Sequence, residues 1–227
     1  MSKNNRPSRV FLLFFLVVSV VDIVAILYGN SLWQTLSKPL IIPALIGYYL
    51  TSSKLRNKWY VIALFFSFAG DVLLLDKNNL FLFGIGAFLI TQVLYVYIFS
   101  RGLSKLTLKE KLIAFFPFTL FFVALIKVLY PGLQGFLIPV LVYGAAISVF
   151  GSISLLKYLA KRDTASLCLI TGAVLFILSD SMIALNKFHQ TLSFYPIAIM
   201  ITYIIAQYLI AVFMLRSEKN TRYGADN

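Results

Sequence analysis

The stretch Ser166-Leu-Cys-Leu-Ile-Thr-Gly-Ala-Val-Leu-Phe-Ile-Leu-Ser-Asp180-Ser-Met-Ile-Ala-Leu-Asn186 runs 21 residues with one charged side chain. About 20 apolar residues in a helix cross the hydrocarbon core of a bilayer. A carboxylate facing lipid costs roughly 2.5–3.5 kcal/mol on insertion scales, so an acid at such depth turns inward and finds partners. The stretch therefore predicts a membrane-spanning helix with Asp180 directed away from lipid. Residues 59–75 repeat the pattern, with Asp71 inside an apolar run from Trp59 to Leu75.

The rest of the chain agrees. Of 227 residues, 60% are hydrophobic and 16% aromatic, and mean hydropathy is +0.90. No soluble core hides that much apolar surface. Eight segments predict spans, at 10–29, 38–50, 59–75, 80–100, 112–130, 133–158, 166–186 and 193–215. The second is short and carries Pro39 and Pro43, and Lys38 is expected to begin this proline-broken helix. The expected architecture is a single all-α polytopic membrane domain over residues 1–227, with loops too short for a soluble domain.

The net charge of +12 raises nucleic acid as a partner, but its distribution argues otherwise. Lys3, Arg6 and Arg9 precede span one, and Lys54, Arg56 and Lys58 fall between spans two and three. Arg101, Lys105, Lys109 and Lys111 lie between four and five, and Lys157, Lys161 and Arg162 between six and seven. Arg216, Lys219 and Arg222 follow span eight. The alternate loops hold Lys38, Lys77 and Lys187 alone, while Lys127 lies within span five. This alternation is the positive-inside pattern, and it predicts cytoplasmic N and C termini in a bacterial inner membrane. The basic residues orient the protein and attract anionic lipid heads rather than nucleic acid. The first apolar run contains Asp22 and lacks a small-x-small cleavage site, so it reads as an uncleaved helix. Cys168 and His189 are the only residues of their types, which excludes a disulfide within the chain and a His/Cys zinc cluster. No metal and no cofactor is expected.

Phe68-Ala-Gly-Asp71-Val-Leu-Leu resembles Ile177-Leu-Ser-Asp180-Ser-Met-Ile, and Ile42-Pro43 resembles Ile138-Pro139. These matches suggest a parallel 4+4 repeat related by an axis along the membrane normal. Both aspartates then fall about 6 Å to the outer side of the midplane, at 1.5 Å per helical residue. Two carboxyls sharing a buried site push their proton affinities apart, so one serves as acid and the other as base. The plainer reading makes each a neutral acid bonded to a neighbouring helix. Asp22 has no motif of its own. Lys38 and Lys187 read either as interfacial anchors or as phosphate ligands. Asn186, Gln92, Tyr95, Tyr203 and Gln207 either line a polar cavity or join helices by hydrogen bonds.

Lys38-Pro-Leu, Gly70-Asp71-Val-Leu-Leu and Phe83-Gly-Ile-Gly-Ala-Phe-Leu occur in the first half of the chain. Gly172-Ala-Val-Leu-Phe-Ile-Leu-Ser-Asp180-Ser, Asn186-Lys-Phe188 and Met200-Ile-Thr-Tyr-Ile-Ile-Ala-Gln207 occur in the second. In this order the strings resemble the YhhN / lysoplasmalogenase family. The resemblance implies an eight-span membrane hydrolase that cleaves the vinyl-ether bond of lysoplasmalogens, giving a fatty aldehyde and glycerophosphoethanolamine or glycerophosphocholine. It carries over Asp71 and Asp180 as the catalytic pair, and Lys38, Asn186, Lys187, Tyr203 and Gln207 as cavity residues. The family often has a histidine where this chain has Gln92, and glutamine does not titrate, which puts a proton relay through that position in question. The expected partners are a vinyl-ether lysophospholipid and the bilayer; the sequence leaves oligomeric state open. The rival class is a proton-coupled transporter or lipid-handling protein using the same buried acids.

Overall fold

A computed structural model describes residues 6–76, 79–103 and 106–223, with side chains described through Glu218. Lys3, Lys77 and Lys105, and the side chains of Lys219 and Arg222, lie outside the described set. Among the described residues the regular structure is helical. The helices are α1 (Arg6–Leu27), α2 (Ser31–Ser52), α3 (Lys58–Leu73), α4 (Phe81–Ser100), α5 (Leu108–Leu133), α6 (Leu137–Lys161), α7 (Thr164–Phe188) and α8 (Tyr195–Tyr223). A single 3-10 turn, Gln134–Phe136, separates α5 from α6.

Polar residues at the starts explain several boundaries. The Asn30 side chain accepts from the Trp33 N–H, that of Asn57 from Trp59 and Tyr60, and that of Asp163 from Ser166. Thr107 and Glu110 form a reciprocal capping box that opens α5. Each such cap satisfies backbone donors that have no partner inside the helix.

Among the described residues five stretches are long and apolar enough to cross a membrane: Arg6–Leu27, Phe81–Ser100, Leu108–Lys161, Thr164–Phe188 and Tyr195–Glu218. The third is 54 residues long and contains both α5 and α6. With 16 residues, α3 is about 24 Å long, short of the ~30 Å hydrocarbon core. Leu13, Leu16, Val17 and Val20 on α1 and Leu112, Phe116, Leu120 and Val123 on α5 are exposed, a surface suited to lipid.

One boundary corrects the sequence reading. Lys38 does not begin a helix at the membrane edge; α2 starts seven residues earlier, and Lys38 is buried within it, with 9% of its surface exposed. Pro39 and Pro43 lie inside an uninterrupted helix. The polar run Gln34-Thr-Leu-Ser-Lys38 resembles a loop in sequence. Its hydroxyls instead bond back into the helix, Thr35 Oγ1 to Ser31 O at 2.9 Å and Ser37 Oγ to Trp33 O at 2.7 Å.

The chain divides into two compact units. The first comprises residues 1–91 and 208–227, that is α1–α3, the start of α4 and the end of α8. In it α1 packs along α2, and α2 against α3. The second comprises residues 92–207, with the remainder of α4, α5–α7 and the first part of α8. There α6 packs against both α5 and α7. Gly151 permits that approach, since a Cβ there would stand 2.6 Å from the Phe118 ring and 2.7 Å from Ile177.

Candidate functional site

In the second unit Asp180 projects from the middle of α7, half-buried. One of its oxygens, Oδ2, accepts a hydrogen bond from the Tyr143 hydroxyl on α6. Gln92 on α4 is fully buried and close enough to the Tyr143 oxygen to act on it, although neither amide atom makes a hydrogen bond of good geometry. One helical turn along α4, the Tyr95 hydroxyl donates to Gln207 Oε1 at 2.9 Å. The Gln207 amide in turn donates to the Tyr203 oxygen at 3.3 Å, within α8. Thus α4, α6, α7 and α8 each place polar side chains in one unit that is otherwise apolar.

Aromatic packing fixes these groups. Tyr95 lies 5.4 Å from Phe150, and Phe150 meets Phe176 edge to face at 6.4 Å. Phe176 meets Tyr203 edge to face at 5.7 Å. Phe176 is one turn before Asp180 and shares its face of α7, so the carboxyl is flanked by ring surface. The buried Ser179 hydroxyl donates to Ile199 O at 3.0 Å, tying α7 to α8 beside the acid.

The other residues expected from this half of the sequence sit further along α7. Lys187 is exposed in the last turn, where a cation complements the helix dipole. Seven residues beyond Asp180, it lies on the same helix face about 10 Å along the axis. Asn186 is half-buried with its Oδ1 unbonded and points from another face.

In the first unit Asp71 lies in the last turn of α3, with 3% of its surface exposed. Its neighbour Gly70 lies under the Phe88 ring, where a Cβ would come within 2.6 Å. One turn earlier the Ser67 hydroxyl is bonded to Thr91 Oγ1 at 3.3 Å, and Thr91 donates to Ala63 O at 3.1 Å. This face of α3 is therefore held against α4. A second acidic centre in the same unit is Asp22, fully buried on α1. Its Oδ1 accepts from Ser37 Oγ at 2.8 Å, its Oδ2 has no hydrogen-bond partner, and Lys38 acts on it electrostatically.

Sequence reasoning placed Asp180, Gln92, Tyr95, Tyr203 and Gln207, which the fold gathers in the second unit. It placed Lys38 but not its association with Asp22 and Ser37. It missed Tyr143 altogether. The signal was there: a tyrosine deep in span six, far from the interfacial belts where tyrosine normally concentrates.

These features define a helical integral membrane protein with buried carboxyls set among tyrosines and glutamines. A family model described as the YhhN family matches residues 33–214. The chain belongs to the YhhN family. It is 35% identical over 180 residues to "Lysoplasmalogenase TMEM86A" of Bos taurus, covering 77% of this chain and 71% of that protein. It is 33% identical over 163 residues to the Homo sapiens protein of the same name, covering 70% of this chain and 65% of that one. No solved structure matches.

Proposed function

We propose that this chain is a lysoplasmalogenase-type hydrolase that cleaves the vinyl-ether bond of a lysoplasmalogen to a fatty aldehyde and a glycerophosphoethanolamine or glycerophosphocholine. Two curated relatives named as lysoplasmalogenases, aligned over most of the chain, support this reading. The observation that carries it is the half-buried Asp180, whose oxygen accepts the Tyr143 hydroxyl among polar side chains from four helices.

The chemistry requires a proton donor and a proton acceptor. Protonation of the alkenyl carbon distal to oxygen gives an oxocarbenium ion. Water adds to it and loses a proton, and the resulting hemiacetal collapses to aldehyde and alcohol. Glycosidases manage a comparable cation with two carboxyls. Asp71 and Asp180 share the acid and base roles in this proposal, the ionised member of the pair taking the proton from water and stabilising the cation. Tyr203 and Gln207 border the polar chain, and Lys187 is the cation proposed to hold the phosphate, Lys38 being buried beside Asp22 instead. Eight spans in a bacterial inner membrane, both termini cytoplasmic, complete the proposal, and a parallel duplication would make Asp71 and Asp180 equivalent residues.

The test is product analysis with detergent-purified protein, offered a lysoplasmalogen beside the matching ester lysolipid. Aldehyde from the first, with no cleavage of the second, supports the reading. Asp71→Asn and Asp180→Asn should each lower aldehyde release by about two orders of magnitude or more, the scale of an acid/base group. Undiminished turnover in either variant rejects the paired-carboxyl mechanism. Aspartate-dependent lipid flux across liposomes with no product would establish the transporter reading instead.

A further inference from the structure

The first unit contains a cavity of about 950 Å³ that the proposed reaction does not use. It opens where α1 begins, α2 ends and the last part of α8 passes. Among the described residues its wall carries four cations, Arg9, Lys54, Arg56 and Arg216, and no acidic side chain. Hydroxyls of Tyr48, Thr51 and Ser52 stand between them, while Leu12, Val212 and Leu215 provide an apolar side. The volume is at the upper end of the range for small-molecule sites and far exceeds what one inorganic anion fills.

The carboxylate nearest in sequence, Glu218, is committed elsewhere. It accepts hydrogen bonds from the buried Tyr49 hydroxyl and from Ser53 Oγ. The same two oxygens accept the backbone N–H groups of Asn57, at 2.9 Å, and Arg56, at 2.8 Å. Glu218 thereby pins the loop that carries Lys54 and Arg56 into the cavity wall. Arg56 sits in this pinned loop at φ +46°, a left-handed conformation that a non-glycine residue adopts only where the surroundings impose it. Within the wall, Tyr208 stacks on Tyr48 at 6.4 Å, and it also stacks on Phe15 at 6.2 Å.

We propose that this cavity binds the phosphate headgroup of an anionic phospholipid, with the lipid's glycerol and first methylenes against Leu12, Val212 and Leu215. The four cations meet the phosphate charge, and the apolar side accepts what a soluble phosphate ester lacks. The three segments that supply the cations are also basic in the charge pattern of the sequence, which puts them at the membrane face where anionic lipids concentrate. The site is independent of vinyl-ether chemistry.

The experiment is a melting titration of the full-length protein in detergent micelles doped with phosphatidylglycerol. Parallel arms use phosphatidylcholine, soluble glycerol phosphate and inorganic phosphate. Phosphatidylglycerol should raise Tm saturably, and the other three should not. Arg9→Gln and Arg56→Gln should each raise the half-saturating lipid fraction about tenfold or more, the loss expected for a charge-assisted hydrogen bond. Lys109→Gln, an exposed cation outside the cavity, should leave it unchanged. An equal loss in Lys109→Gln would show diffuse surface attraction and overturn the site, as would the absence of a saturable shift. Soluble glycerol phosphate matching the lipid would overturn the lipid assignment. Two variants on different segments guard against one failing to fold, and aldehyde release plays no part in the readout.

Discussion

Tyr143→Phe isolates one hydrogen bond of the proposed site. The substitution keeps the ring between α6 and α7 and deletes the O–H that donates to Asp180 Oδ2. A hydrogen bond to a charged group contributes roughly 1.5–3 kcal/mol, which corresponds to a 10- to 150-fold change in rate if it is lost wholly in the transition state. Only one hydrogen bond is removed and the ring stays in place, so the lower end of the range is expected. Gln92 adds a second consequence. It is fully buried beside the Tyr143 oxygen, and the variant leaves its amide facing a bare ring edge. Initial rates of aldehyde release across a range of lysoplasmalogen concentrations separate the two kinetic parameters. A positioning role for Tyr143 lowers kcat about tenfold and leaves KM within about threefold, because the bond orients the acid rather than the substrate. A melting curve on the same preparation excludes simple unfolding. Unchanged kcat, or a loss that follows the melting curve, would refute the assignment of Asp180 to proton transfer through this geometry.

Asp22→Asn and Lys38→Met should each destabilise the protein. A double-mutant cycle in chemical denaturation should give a coupling of about 0.5–3 kcal/mol, since the groups interact in a buried setting; additivity would mean that Lys38 does not serve Asp22. Gly70→Val drives a side chain into the Phe88 ring beside Asp71 and should cost about 1–3 kcal/mol by overpacking, read as a lowered Tm; a neutral outcome would show that α3 and α4 are not held this closely. Asp163→Ala removes the α7 cap and should cost about 1 kcal/mol near neutral pH. Burial alone pushes the Asp163 carboxyl up, but hydrogen bonds from Ser166 and the charge of Lys161 outweigh it and hold it below its ordinary value. Its stabilisation is therefore present above the unfolded carboxyl range and lost as pH falls through the lowered folded value, so the difference in Tm between wild type and variant should vanish in that acid window.

Much of the fold was written in one-dimensional signals because a membrane makes them strong. Apolar length gave helices over the segments now seen as α1 and α4–α8. The α2 start was misread for a specific reason. In Gln34-Thr-Leu-Ser-Lys38 the hydroxyls and the lysine resemble a loop, and only the fold reveals that the hydroxyls bond to the preceding turn and Lys38 is buried near Asp22. For the candidate site the asymmetry is similar. An aspartate in an apolar run identifies itself by its cost, whereas Tyr143 in such a run costs little, because a tyrosine is mostly ring. Its importance comes from which residue stands opposite, and that depends on the pairing of α6 with α7.

The glutamine at position 92 can be understood from the same geometry. A histidine there would matter as a relay only if its ring exchanged protons with an acid. In this chain the position faces the oxygen of Tyr143, which is itself bonded to Asp180. What the position adjoins is the partner of the acid, and a neutral amide there sets a polar group beside the phenol without a hydrogen bond of good geometry to it. In the proposed mechanism proton transfer remains with the carboxyls, and this chain should lack the activity limb near pH 6.5 that a histidine at this position would introduce. Gln92→His supplies the comparison: a new limb in kcat without loss of its maximum would place the side chain beside the reacting groups. An unchanged profile would confine position 92 to packing around Tyr143 and leave Asp71 and Asp180 to carry the chemistry alone.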